Sequence, residues 1–192
     1  MARVGILGGT FDPPHIAHLV MAEEALAKVP LDKILFMPAT HPPHKSTEVV
    51  TPYPVRLQMV ELSLQGHDHL ELSTMEEFRD GPSYTIDLLR HYQREHDDEI
   101  YLIIGADSLS DFTSWKDPEK ILQLATLVVF PRSGYPSMHS LPGEASIVLL
   151  DAPPVDVSSS EIRRRLAAGE PVEHLLPGSV RDYIRDNDLY SR

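Results

Sequence analysis

Short apolar runs alternate with longer stretches whose apolar residues return every three or four positions. The first run, residues 3–8 with Val4-Gly5-Ile6-Leu7, reads as a buried strand. The next segment, residues 15–29, places Ile16, Leu19, Val20, Ala22, Ala25 and Leu26 at helical spacing and stops at Pro30. Lys33 to Pro38 reads as a second buried strand. A strand, a helix and a strand of these lengths make a βαβ crossover, which predicts a parallel sheet.

The pattern continues downstream. Residues 39–52 carry prolines and polar residues without a period and read as a long loop, a kind of segment that is often functional. Residues 54–65 read as a helix and 69–73 as a short strand. Gly81-Pro82-Ser83-Tyr84-Thr85 is a turn opening a helix over 84–95, with Ile86, Leu88, Leu89 and Tyr92 on its apolar side. Strands are predicted at 99–105, 125–130 and 145–150, helices at 118–124, 158–168 and 180–186, and a loop at 131–144. Alternation of this kind predicts a three-layer α/β fold with a mostly parallel sheet. No repeat, low-complexity tract or linker divides it, so residues 1–192 read as a single domain.

Ligands in such sheets bind beyond the carboxyl ends of strands, where the strand order reverses. Three segments fall at such ends: Gly8-Gly9-Thr10, the loop after Pro38, and Gly105-Ala106-Asp107. The expectation is that they share one crevice.

Composition narrows the chemistry. The 192 residues carry a net charge of −12 with histidine neutral, which disfavours general nucleic-acid binding. A phosphorylated ligand would need a local concentration of donors. The chain has no cysteine, which removes disulfides, thiolate zinc sites and cysteine nucleophiles. No apolar run has the roughly 20 residues of a membrane span, and the opening residues carry no signal-peptide pattern, so a cytoplasmic protein is expected.

Four groups of residues carry candidate chemistry. Gly8-Gly9-Thr10-Phe11-Asp12-Pro13-Pro14-His15 joins the first strand to the first helix. A turn of small residues before a helix N-terminus is an anion site; it also reads as a tight turn needing positive φ. It is neither a dinucleotide fingerprint nor a P-loop. His15 and His18 sit on one face at the helix start. They suit phosphate contact; a metal site with His41 and His44, or a plain surface pair, stays open. Ser158-Ser159-Ser160-Glu161-Ile162-Arg163 contains a capping box, Ser158 with Glu161. The box leaves the remaining hydroxyls and Arg163 unexplained, and together these suit a polyphosphate. Trp115, the only tryptophan, has polar neighbours on both sides, which points to a half-exposed ring able to stack on a flat ligand.

Gly-Gly-Thr-Phe-Asp-Pro-Pro-His-x-x-His near the start, with Ser-Ser-Ser-x-Ile-Arg near the end, resembles the H-x-G-H nucleotidyltransferase superfamily. Pro42-Pro43-His44-Lys45, Gly81-Pro82-Ser83-Tyr84-Thr85, Leu102-Ile103-Ile104-Gly105-Ala106-Asp107 and Trp115-Lys116 narrow the resemblance to bacterial nicotinate-nucleotide adenylyltransferases. Ala17 stands where the superfamily has glycine, and Ser160 where the second signature usually has threonine. Alanine is still small, and serine keeps the hydroxyl.

The resemblance implies a Rossmann-like nucleotidyltransferase fold. It also implies a reaction in which ATP and nicotinate mononucleotide give nicotinate adenine dinucleotide and pyrophosphate, with Mg²⁺ held mainly through the ATP phosphates. By resemblance His15, His18, Lys45 and Arg163 are the catalytic candidates. The ATP site comprises Gly8, Gly9, Thr10, Phe11, His15, His18, Gly105, Asp107, Ser158, Ser159 and Arg163. The pyridine nucleotide falls to Thr10, His44, Lys45, Tyr84, Thr85, Trp115 and Arg132, with Trp115 stacked on the ring and the Thr85 N–H at its carboxylate. The attacking phosphate monoester is largely dianionic at neutral pH, its second pKa being ~6, so no strong base or protein nucleophile is required. The rival readings are phosphopantetheine adenylyltransferase, use of nicotinamide mononucleotide, a non-catalytic nucleotide-binding regulatory module, and a histidine metal protein. No membrane or nucleic-acid partner is expected, and a homo-oligomer is left open.

Overall fold

The computed structural model describes residues 1–42, 50–77, 81–135 and 147–191. His44 and Lys45, and parts of the two predicted loops, lie outside them. The chain runs β1 (Arg3–Gly9), α1 (Ile16–Lys28), β2 (Lys33–Pro38), α2 (Tyr53–Ser63), β3 (Leu70–Leu72), α3 (Thr85–Glu95), β4 (Glu99–Gly105), α4 (Ala106–Ser110), a 3-10 turn (Phe112–Ser114), α5 (Pro118–Leu124), β5 (Thr126–Phe130), β6 (Ile147–Leu149), α6 (Ser159–Ala168) and α7 (Gly178–Asp186). The strands form one parallel sheet in the order β3-β2-β1-β4-β5-β6. The order reverses between β1 and β4, so the predicted crevice lies at their carboxyl ends.

The central strands are apolar on both faces, as a sheet covered on both sides requires. Side chains alternate between two cores. Ile6, Met37, Leu102, Ile104, Leu127 and Val129 pack with α3 and α5 through Leu89 and Ile121. Leu7, Phe36, Ile103, Val128 and Phe130 pack with α1 and α2 through Ala22, Ala25 and Val60. Gly5 is dictated by the second core: a Cβ there would stand 2.7 Å from Ile34 Cγ1 and 3.0 Å from Ile103 Cδ1. A third cluster joins α2, α6 and α7 through Met59, Ile162, Val180 and Ile184.

The structure differs from the sequence expectation in three respects. Residues 106–114 form a short helix and a 3-10 turn where no element was predicted, and α7 starts at Gly178 rather than Val180. Neither Gly8 nor Gly9 adopts positive φ. Both close β1 in extended conformation, and the left-handed residue of this turn is Phe11, at φ +50°.

Candidate active site

Two cavities flank the carboxyl ends of β1 and β4. The first, of about 250 Å³, opens on the α3 and α5 side of the sheet. Gly8, Gly9 and Thr10 line it along with Tyr84, Thr85 and Trp115. A Cβ on Gly8 would meet nothing within 4 Å, so the glycine leaves room in the cavity rather than relieving a packing clash. Trp115 is half-buried, as its polar neighbours predicted, and leans on Phe112 with ring centroids 5.2 Å apart. The Lys116 ammonium lies 4.6 Å from the centre of the Tyr84 ring and pairs with Asp87 at 2.8 Å.

The second cavity, of about 190 Å³, is lined by His15, Ala17, His18, Asp107, Arg132 and Ser158 among others. The two imidazoles stack face to face, 3.8 Å between centroids and 19° between planes. The His15 backbone N–H donates to His18 Nδ1 at 3.1 Å. That bond makes Nδ1 an acceptor, so the His18 ring proton sits on Nε2, a fixed hydrogen-bond donor. Phe11 meets the same ring edge-on at 4.8 Å and holds its plane. Burial pushes the His15 pKa down to about 4, with the Arg132 charge adding to the effect. His18 is pushed well below its ordinary value, first by desolvation, then by His15 and Arg132. At neutral pH the pair is therefore uncharged, two donors rather than two cations. Near them Arg132 Nη1 lies 3.5 Å from Asp107 Oδ2.

Several predicted residues take different parts from those expected. The Phe11 side chain is 2% exposed and packs against Phe36 and His18, so any contact it makes with ATP runs through its backbone. Arg132 stands with the histidines in the second cavity and not beside Trp115. Of the first amides of α1, that of Ile16 donates to Leu175 O and that of His18 to His15 O. The anion-binding capacity at this helix start thus rests more on the imidazoles than the sequence implied. Ser158 caps α6, its Oγ accepting from the Glu161 N–H at 3.2 Å. The Glu161 carboxylate does not complete the capping box; it binds Arg164 and Arg165, which hold its pKa down at about 2. Those two arginines are thereby engaged away from the cavities, and Arg163 is the one that reaches the N-terminal turn.

It reaches the turn through protein oxygens. Arg163 Nη1 donates to Asp12 O at 2.8 Å, and Ser159 Oγ donates to Pro13 O at 2.8 Å. The two signatures at opposite ends of the chain are thus bonded directly to one another. Gly105 is also explained: a Cβ there would collide with Asp107 Oδ1, so the glycine lets that carboxylate fold back over the end of β4.

The sequence reading missed the frame beneath the turn. Arg56 is 1% exposed and donates to Thr51 O at 2.8 Å, Thr10 O at 2.7 Å and Ala39 O at 2.8 Å. One guanidinium thereby ties the glycine turn to both flanks of the 43–49 segment. Asp12, 2% exposed, accepts from Tyr190 Oη at 2.6 Å and from the Thr51 N–H at 3.2 Å. A signal for Arg56 was present, since it falls on the buried Arg56-Met59-Val60-Ser63 face of α2. The described residues bring together no three His, Asp or Glu side chains able to hold a metal ion.

Residues 6–165 match the cytidylyltransferase-like family. Among curated proteins, a probable nicotinate-nucleotide adenylyltransferase of Geobacillus thermodenitrificans is 41% identical over 191 residues, covering 99% of this chain and 87% of that protein. One from Bacillus pumilus is 38% identical, with 99% of each chain covered. Among solved structures, the Plasmodium falciparum nicotinic acid mononucleotide adenylyltransferase complexed with NaAD superimposes with a TM-score of 0.84 at 22% identity, covering 99% of this chain and 98% of that one. This last likeness speaks to the fold.

Proposed function

This chain belongs to the cytidylyltransferase-like family, and within it to the nicotinate-nucleotide adenylyltransferases; from that premise we propose how its residues carry the reaction. The enzyme transfers the adenylyl group of ATP to nicotinate mononucleotide, a step of NAD biosynthesis that yields nicotinate adenine dinucleotide and pyrophosphate. The observation that carries the residue assignment is the pair of cavities meeting the ends of β1 and β4. One is lined by paired imidazoles and an arginine, the other by a half-buried indole and a largely apolar wall.

ATP takes the histidine cavity and the mononucleotide the tryptophan cavity. The 5′-phosphate of the mononucleotide attacks the α-phosphorus of ATP. A new P–O bond forms, the bond to the β-phosphate breaks, and its electron pair leaves with pyrophosphate. The phosphate is already ionised, so catalysis is positioning and charge stabilisation. The Nε2–H of His18, fixed by the His15 amide, donates to the triphosphate, and His15 and Arg132 complete that wall. Gly105 and Asp107 border the adenosine, and Ser158 faces the phosphates from the α6 end. Ser159 and Arg163 act on ATP through the turn they hold, at Pro13 O and Asp12 O. Trp115 stacks on the pyridine ring beside Tyr84 and Thr85, with Gly8, Gly9 and Thr10 as the floor between the two substrates. His44 and Lys45 are assigned to the pyridine nucleotide by the resemblance alone. Nucleotidyltransferases of this kind use a divalent cation. We infer that this cation is Mg²⁺, which would be held mainly through the bound triphosphate rather than by a protein cage and would supply charge neutralisation for the leaving pyrophosphate. No helix among the described residues is long and apolar enough to cross a membrane.

The test is pyrophosphate release from ATP and Mg²⁺ with nicotinate mononucleotide, nicotinamide mononucleotide or phosphopantetheine as acceptor. Turnover highest with nicotinate mononucleotide is expected. Preference for phosphopantetheine, or release with none of the three, overturns the reading.

A further inference from the structure

The wall of the tryptophan cavity holds one group that the assignment above does not use. Glu76 is 2% exposed, lines that cavity, and its Oε2 is buried with no hydrogen-bond partner. Its backbone is placed by Thr40, whose Oγ1 lies 3.5 Å from Glu76 O. The neighbouring wall is apolar: Met37, Leu88, Leu102 and Ile104. A buried carboxylate oxygen in such surroundings costs several kcal/mol unless a cation or donor reaches it. Among the described residues none does. Lys116, the lysine of this cavity, is paired with Asp87, and the bonds Arg56 makes go to main-chain carbonyls.

We propose that Glu76 is a specificity-determining contact for the positive charge of a pyridinium ring. This rests on the reading that the cavity takes the mononucleotide. A pyridine bonded to ribose through its nitrogen carries a fixed positive charge. The same molecule also carries a phosphate and a carboxylate, which Glu76 repels. An orientation with the ring beside Glu76 and Trp115 and both anions turned elsewhere satisfies all three charges. Trp115 favours the same occupant, since an indole face attracts a flat cation. Glu76 and Trp115 thus select a charged ring over a neutral one of the same shape, and the carboxylate sets the direction of the ring.

The test compares two ligands that differ in ring charge: nicotinate mononucleotide and its dihydropyridine form, made by chemical reduction. Dissociation constants for both are measured by calorimetry in the wild type and in Glu76→Gln, which keeps the shape and removes the charge. The wild type is expected to bind the oxidised form about tenfold tighter than the reduced form, and Glu76→Gln to bring the two to within about twofold by weakening the oxidised form alone. An equal loss for both forms would assign Glu76 to the ribose or to folding and overturn the proposal. No change in either form, or no binding of the oxidised form to the wild type, overturns it as well. Pyrophosphate release by the wild type with nicotinate mononucleotide is measured alongside. Turnover with an unchanged ratio in Glu76→Gln defeats this inference and leaves the adenylyltransferase reading standing.

Discussion

At the scale of single residues, the stacked histidines work as neutral donors. His18 offers one fixed Nε2–H because its Nδ1 accepts from the His15 amide. Removing a single preorganised donor of this kind costs about 100-fold in kcat. His18→Ala is accordingly expected to lose about that much turnover while its unfolding midpoint stays near that of the wild type; near-normal kcat would detach His18 from the phosphates. The depressed pKa of His15 also makes a stability prediction. The folded value is about 4, below the ordinary histidine value of 6.5, so between those limits the unfolded chain binds more protons. Stability from this group is complete above pH ~6.5 and falls as the pH drops toward 4, by on the order of 3 kcal/mol. In urea titrations at pH 7 and pH 5, His15→Asn should lose less stability on acidification than the wild type. Parallel losses would show that His15 is not the group responsible.

At the scale of elements, the strands and long helices were legible because their periods are strong. The α1 pattern of Leu19, Ala22 and Ala25 and the unbroken apolar runs of β2 and β4 determine both element type and burial. The helix over Ala106–Ser110 was not legible, because five residues are too few to show a period. The fastening of the loops was legible only as the shared α2 face of Arg56 with Met59 and Val60. An arginine in a helix reads as a solvated charge, yet Arg56 is buried and bonds the main-chain carbonyls of Thr10, Ala39 and Thr51, with a longer contact to Thr40 O. Only the fold reveals that Thr10, Ala39 and Thr51 present carbonyls to one point. Lysine has no planar fork and cannot reach all three. Arg56→Lys is expected to lower the unfolding free energy by about 2–4 kcal/mol. It should also reduce kcat below what His18 and Trp115 alone would support, since the glycine turn loses its anchor. A loss under about 0.5 kcal/mol in urea unfolding would mean that the carbonyls find other donors and that Arg56 does not hold the turn.

At the scale of the whole molecule, the sheet separates the two cavities. Successive residues of β4 face opposite cores, with Ile104 on the α3 side and Ile103 on the α1 side. The tryptophan cavity opens on the first side and the histidine cavity borders the second, with the end of β1 between them. The N-terminal signature is therefore divided, with Gly8, Gly9 and Thr10 on the tryptophan side and His15 and His18 beside Ser158 on the other, and the residues proposed to choose the second substrate come from α3, from the turn after α4 and from Glu76. This explains why the reaction type was readable from two motifs while the acceptor site was only partly so. Glu76 belongs to no pattern and acquires meaning from its buried, unpartnered oxygen. The separation has a kinetic consequence. Trp115→Ala should raise KM for the mononucleotide more than for ATP, while His18→Ala should act mainly on kcat. The two side chains line different cavities and share no contact, so their transition-state losses should add to within about 0.5 kcal/mol in the double variant. Measured kcat/KM for the double variant should then equal the product of the single losses to within about twofold. A departure of tenfold or more would mean that the indole and the imidazoles act on one another through the turn they flank, and that the two cavities behave as one site.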